Sequence, residues 1–399
     1  MRHHLGIDRR SVWPTRLAAA TIAAAGAAGI GAASGSASAH GHAYRASHHA
    51  SSSSAVQASL ENGLLSIEGS RGNDAIALRL KAGDPATIQV DAGDDGSADF
   101  EFPRASVARI ALDAEQGDDV VRVDEANGVF DDKIPTTLDG GAGDDNLSGG
   151  SGAETLLGGS GDDRIDGNKG NDRSAMGSGN DTFVWDPGDG SDTIEGEDGY
   201  DTMLFNGAAA AEKVDLSANG NRLRFFRDVA NITMDTAGVE RVVFNALGGA
   251  DVVTVHDLSG TDVKDVSVDE SSPAGSGTGD NAADQVIVEG TAGNDRVAIV
   301  GGNGEARVVG LSETVDVSGA EPANDTLTID ALDGNDVVTA FRLSASAGKL
   351  AIDGGNGNDL LIGGGGDDVL AGGAGNDVLI GGPGRDTLDG GTGSNALIQ

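Results

Sequence analysis

Two stretches of this chain set one large apolar residue in every nine. The first carries Leu147, Leu156, Ile165, Ser174, Phe183, Ile194 and Met203 at that position, with a single step of eleven before Ile194. Ser174 is its weak member, since a hydroxymethyl adds almost nothing to a core. The second carries Leu361, Leu370, Leu379, Leu388 and Leu397 without interruption. Most of what lies between is glycine, acid or amide. This period predicts short strands joined by tight turns and stacked as coils of a parallel β-roll, two half-turns to a coil of eighteen residues.

Outside these stretches the pattern is looser and still β-like. Arg109–Val121, Arg241–Val253 and Thr326–Val338 share one frame: an alternating strand, a turn with an acid at 119, 251 or 336, and a Val-rich strand. Lone turns of similar form occur at Gly69–Asp74 and Gly290–Asp295. Asp251, Asp295 and Asp336 are spaced by 44 and 41 residues, which leaves room for runs such as Arg296–Val300, Ala306–Val309 and Thr314–Val317. The expected fold is therefore all-β. Segments 59–137 and 205–352 are read as longer-stranded β-solenoid coils, continuous with roll blocks at 138–204 and 353–397. Small β-sandwich modules separated by the rolls are the alternative. Ser271–Asp284, rich in Gly, Ser and acids, is the expected boundary loop.

The turns carry the chemistry. Each of the last five reads Gly-Gly-x-Gly-x-(Asp/Asn), ending at Asp359, Asp368, Asp377, Asp386 and Asn395. In the first block the corresponding residues are Asp145, Glu154, Asp163, Asp172, Asp181, Asp192 and Asp201. Glycine permits the tight bend, which turns carbonyl oxygens inward, and the closing acid adds a carboxylate. That donor set is what calcium selects, with 6–8 oxygens in a flexible shell. A softer metal is not served: the chain has no cysteine, and His256 is the one histidine in the repeat region. Each unit buries about one Leu-sized side chain, roughly 1.5–3 kcal/mol. Ordering nine residues costs roughly 9–18 kcal/mol, and ladder hydrogen bonds return only about 1 kcal/mol each. The blocks are therefore expected to need metal to fold.

At these residues the chain resembles the RTX, or haemolysin-type calcium-binding, repeat proteins of bacteria. The resemblance covers roughly a quarter of the chain. It implies a right-handed parallel β-roll with several calcium ions held between adjacent loops. It assigns the ligand role to Asp145, Asp163, Asp172, Asp181, Asp192, Asp201, Asp359, Asp368, Asp377 and Asp386. Glu154, one methylene too long, and Asn395, at a capping turn, depart from the pattern. Many such proteins carry an export signal after the repeats and an enzyme or pore-forming segment before them. Here Ala396–Gln399 follow the last loop, and neither kind of segment is recognisable ahead.

Residues 1–39 read as a secretory signal: basic Arg2, Arg9, Arg10 and Arg16, an apolar Leu17–Ala33 stretch, and Ala37-Ser38-Ala39 as the cleavage site. His40, His42, His48 and His49 with Ser51–Ser54 make residues 40–58 a solvated spacer. The whole chain has 64 acidic and 26 basic residues, and removal of residues 1–39 takes away four arginines and one aspartate, for a net charge of −41. Such a charge opposes compaction unless cations bind, and it excludes nucleic-acid partners. No later segment is apolar enough to span a membrane. Without H-E-x-x-H, G-x-S-x-G, a Cys nucleophile or a phosphate loop, no enzyme is expected. The expectation is thus a secreted or extracellular calcium-binding protein with a structural or adhesive role, and cell-surface or matrix glycans as a candidate partner class. The alternative is a calcium-dependent, lyase-like polysaccharide enzyme. It would draw on Arg222, Arg224 and Arg227, otherwise read as the outward face of a strand. Trp185 and Phe183 are expected to plug the core at the eleven-residue step rather than to stack on sugar.

Overall fold

The computed structural model describes residues 56–399. The signal segment and the His/Ser-rich spacer up to residue 55 lie outside the described residues. The chain alternates between two sheets, and each passage through both makes one coil. Sheet I has sixteen strands, from Gln57–Glu61 to Thr387–Asp389. Sheet II runs from Phe100–Pro103 to Ala396–Ile398, each of which has one partner strand. Regular structure begins at Gln57, inside the expected spacer.

Most neighbours are parallel and in register. Leu138, Leu156, Ser174 and Ile194 stack through sheet I. Leu147, Ile165, Phe183, Met203 and Val242 stack through sheet II. The nine-residue position thus supplies both walls of one core, and all these side chains are buried. The ladder crosses all three roll boundaries without a break, as in Thr136–Ala142 on Arg109–Asp113, Thr202–Asn206 on Arg241–Asn245 and Val369–Ala371 on Lys349–Asp353. The solenoid reading holds over the sandwich.

Three expectations are corrected. Arg296–Gly302, Glu305–Val309 and Thr314–Ser318 are not successive parallel coils but an antiparallel meander in sheet II. Its first turn passes through Asn303 and Gly304 at φ 58° and 78°, the left-handed pair of a two-residue hairpin. A matching meander, Lys213–Asn219, Arg222–Arg227 and Ile232–Ala237, widens sheet I. Each adds two strands to one sheet, so the second restores the level the first upsets. Ser271–Asp284 is no boundary: strands on either side pair across it, Val252–Val255 with Gln285–Glu289 and Asp265–Asp269 with Thr314–Ser318. Finally, Arg227 points inward. It shares the parity of Leu223 and Phe225, and its guanidinium is bonded to the buried Glu212 carboxylate.

The eleven-residue step is plugged as expected. Trp185 is fully buried and stacked on Phe205, with centroids 3.9 Å apart and planes 5° apart. Its indole N–H donates to Gly190 O at 2.8 Å, within the lengthened turn. Arg227 covers its ring at 5.2 Å. Phe183 is equally buried, so neither ring is open to a sugar.

Candidate metal centre

Every coil turns at two edges, and each edge collects acids into a column. Along the edge that leads into sheet II, the backbone N–H of one acid donates to the carboxylate of the acid one coil on. The run is Asp74 to Asp119, then Asp145, Asp163, Asp181, Asp201 and Glu240, with bonds of 2.6–2.9 Å. It reappears as Asp295, Asp336, Asp359, Asp377 and Asn395. The edge leading into sheet I holds Glu154, Asp172 and Asp192, then Glu212, Asp251, Asp284 and Asp325, then Asp368 and Asp386. The stacking follows from the parallel register, which sets successive turns about 4.8 Å apart.

One oxygen of each interior carboxylate is thereby used, and the other is left over. Asp145, Asp163, Asp172, Asp181, Asp192, Asp201, Asp359, Asp377 and Asp386 each keep a buried Oδ2 without a hydrogen-bond partner. Asp368 differs because it starts a column. With no earlier acid to cap, its Oδ2 accepts the N–H of Gly364, four residues back, at 2.7 Å. Asp74, Glu154, Glu212 and Asp295, also column starts, accept from the residue four back in the same way.

The spare oxygens face carbonyls across a space that glycine leaves open. A methyl on Gly354 would lie 2.7 Å from Asp359 Oδ2 and 3.0 Å from Gly372 O of the next coil. Gly140 stands likewise against Asp145 Oδ2 and Gly158 O, and Gly196 against Asp201 Oδ2 and Gly238 O. A buried oxygen pair of this kind is repulsive without a cation. Asn395 shows the alternative within the same chain. Its Oδ1 accepts from Asp377 N at 2.8 Å, while its Nδ2 donates to Gly390 O. An amide N–H there does what a cation must do elsewhere.

Burial dominates the electrostatics. It raises Asp145 to about 6, Asp163, Asp192 and Asp201 to about 7, and Asp172 to about 9, against partial relief from the backbone N–H bonds. Neighbouring acids push the same way. Asp368 rises to about 6 for the same first cause, and Asp181 and Asp359 are also raised by burial. Among the described residues no three acidic or histidine side chains gather round one point. Any ion here must therefore draw on carbonyl oxygens as well, which suits a hard cation.

The columns extend beyond the motif that sequence reading singled out. Glu212, Asp284 and Asp325 belong to them, and their shared signal is a small residue five positions earlier: Gly207, Gly279 and Ala320. Asp251 heads into sheet I, whereas Asp295 and Asp336 head into sheet II, so the 44-residue interval joins different edges. At Asp119, Asp251 and Asp336 the glycine is replaced by the buried Ala114, Ala246 and Ala331, and each acid still keeps a buried, unpartnered Oδ2. Asp181 has the buried Met176 there.

Fold and turns together define a two-sheeted parallel β-solenoid whose edges are lined by acid–glycine loops built for a hard cation. The family model of the RTX calcium-binding nonapeptide repeat (4 copies) matches residues 137–153, 148–183, 187–204, 351–379 and 362–397. The chain thus carries two blocks of RTX calcium-binding repeats, and calcium is the ion they bind. No curated protein matches the chain significantly. Among the described residues no helix is long and apolar enough to cross a membrane.

Proposed function

We propose that this is a secreted structural protein whose two roll blocks fold when calcium enters the edge columns. The ligands would be Asp145, Asp163, Asp172, Asp181, Asp192, Asp201, Asp359, Asp368, Asp377 and Asp386, together with carbonyls such as those of Gly158 and Gly372. Bound calcium would supply positive charge between carboxylates that otherwise repel. The observation that carries the reading is the row of buried, unpartnered Oδ2 atoms facing glycine carbonyls at coil spacing. Export rests on the residue 1–39 pattern, and extracellular calcium modules work at roughly 10⁻⁴–10⁻³ M.

No catalytic role is part of the proposal. Arg222 is engaged by Glu195 and Asp235, Arg224 by Asp215, and Arg227 by Glu212. His256 lies between Asp215 at 2.7 Å and Glu289 at 2.6 Å on the outer face of sheet I. These contacts make a structural crosslink, and the Ser217 hydroxyl beside it donates to Asp215 Oδ1 at 3.1 Å rather than to the imidazole.

Calcium titration of the purified chain, followed by circular dichroism and calorimetry, tests the proposal. Several ions should bind, with a rise in β signal that saturates alongside the heat. A chelated chain with the same ellipticity and melting temperature as the loaded one would refute it.

A further inference from the structure

We propose that His256 is a proton-operated latch: as an imidazolium it clamps three neighbouring strands of sheet I, and loss of its proton at alkaline pH releases the clamp. His256 stands one residue past the strand Val252–Val255. Its backbone N–H still donates to Leu216 O of the adjoining strand, at 3.0 Å. In sheet I, Val252–Val255 lies between Lys213–Asn219 and Gln285–Glu289. The ring reaches both flanks. Its Nε2 is 2.7 Å from Asp215 Oδ2, and its Nδ1 is 2.6 Å from Glu289 Oε2. Lys213–Asn219 is the first strand of the meander that widens sheet I, and it meets Val252–Val255 over four residue pairs. The latch therefore ties the meander to the two coils that follow it.

A carboxylate can only accept, so both ring nitrogens must donate, and only the imidazolium has two N–H groups to give. Asp215 is held in the accepting role from its other side. Its Oδ1 takes Arg224 Nη1 at 3.2 Å and the Ser217 hydroxyl at 3.1 Å. The charges on the surrounding strands are mostly acidic. Asp330 is in register with Glu289 and Asp353 with Asp330, Asp257 follows the ring in the chain, and Arg224 and Lys213 are the bases on the meander side. Burial of the ring works against its charge, but the bonds to Glu289 and Asp215 outweigh it and raise His256 above the ordinary histidine value. The folded value thus lies above the unfolded one. The clamp is at full strength below about pH 6.5, where an unfolded histidine is also charged, and it is lost as pH rises through the folded value. A neutral ring can serve one carboxylate and presents a lone pair to the other.

The test uses the full chain in saturating calcium, which keeps the edge carboxylates ionised throughout. The ring resonances of His256, identified as those missing from a His256→Gln variant, should titrate with a midpoint above about 6.5. The melting temperatures of wild type and variant should differ most below that pH and converge as pH rises through the measured midpoint. Glu289→Gln keeps the side-chain length and removes one acceptor charge, so it should lower the midpoint. That second variant covers the case in which His256→Gln misfolds, since the ring resonance it moves is then the one followed. A midpoint at or below about 6.5, a melting difference that does not change with pH, or a midpoint untouched by Glu289→Gln overturns the proposal. Each of these outcomes leaves the calcium reading of the rolls intact.

Discussion

Replacing Asp163 by asparagine should have opposite effects with and without calcium. Asp163 Oδ1 accepts Asp145 N at 2.8 Å, and its Oδ2 is buried and unpartnered. An asparagine keeps the first bond. Its amide can donate to Gly158 O, five residues back, as Asn395 does to Gly390 O. Burial lifts the Asp163 carboxyl from 3.8 to about 7. At 1.36 kcal/mol per unit, ionising it in the metal-free fold costs about 4 kcal/mol, or about 2 after allowance for local relaxation. The folded pKa lies above the unfolded one, so the metal-free fold holds the extra proton between them. Its stability is full below about pH 4 and falls as pH rises through 7. Asp163→Asn should therefore shift the chelated roll at pH 8 towards its folded state by about 2 kcal/mol, read as a gain in β ellipticity over the chelated wild type. At pH 4.5 the gain should shrink to about a quarter, because the folded wild-type carboxyl is then protonated while the unfolded one is mostly ionised. In saturating calcium at pH 8 the sign reverses, since the variant lacks a ligand. Circular dichroism under these three conditions decides it. A variant with less β signal than wild type in chelator at pH 8 would refute the reasoning.

Other outcomes follow from the same geometry. Gly158→Ala puts a methyl against Asp163 Oδ2 and Met176 O, so it should lower the calorimetric calcium count by one. Arg227→Ala strands a buried Glu212 carboxylate and should cost about 3–5 kcal/mol. Arg224→Ala, at a half-exposed pair with Asp215, should cost under about 1 kcal/mol; urea unfolding compares the two. Ser174→Val fills a fully buried position whose hydroxyl has no partner, between Leu156 and Ile194. It should raise the melting temperature in calcium by an amount matching about 1–2 kcal/mol.

Much of this arrangement is legible in the chain because the repeat is local. A residue every nine places marks the core, and Leu147 through Met203 occupy it. What a local period does not encode is the partner of each strand. Thr314–Ser318 alternates as a coil strand should, yet it pairs antiparallel with one neighbour and parallel with the other. Asn303-Gly304 was the available sign of the hairpin. Arg227 was misplaced by treating three arginines as one face, although 222 and 224 differ from 227 in parity. The columns were legible only where glycine marked them. Glu212, behind a run of four alanines, aligns with Asp251 solely through the register of distant strands.

That register also separates two ways of holding a coil. Roll strands are three or four residues wide at the second sheet and bury few side chains, as in Arg164–Asp166. Middle strands such as Asp265–Asp269 and Gln285–Glu289 bury two each. Some of their acids are served from within the chain: Glu212 has the Arg227 guanidinium beside one oxygen, and Asp295 takes Thr291 N at 2.7 Å. Asp251 and Asp336 keep a buried, unpartnered Oδ2 as the roll acids do. What distinguishes the middle segment is therefore its larger hydrophobic area, where the rolls rely on ions. Chelation should not unfold the solenoid in one step. Protection from hydrogen exchange should be lost first over about residues 138–204 and 353–397, while the strands between Lys213 and Ile352 stay protected until a second, higher transition, since nearest-neighbour stacks unfold by segment. Simultaneous loss of protection along the whole chain would mean that the ions hold every coil and that the buried valines of the middle hold none.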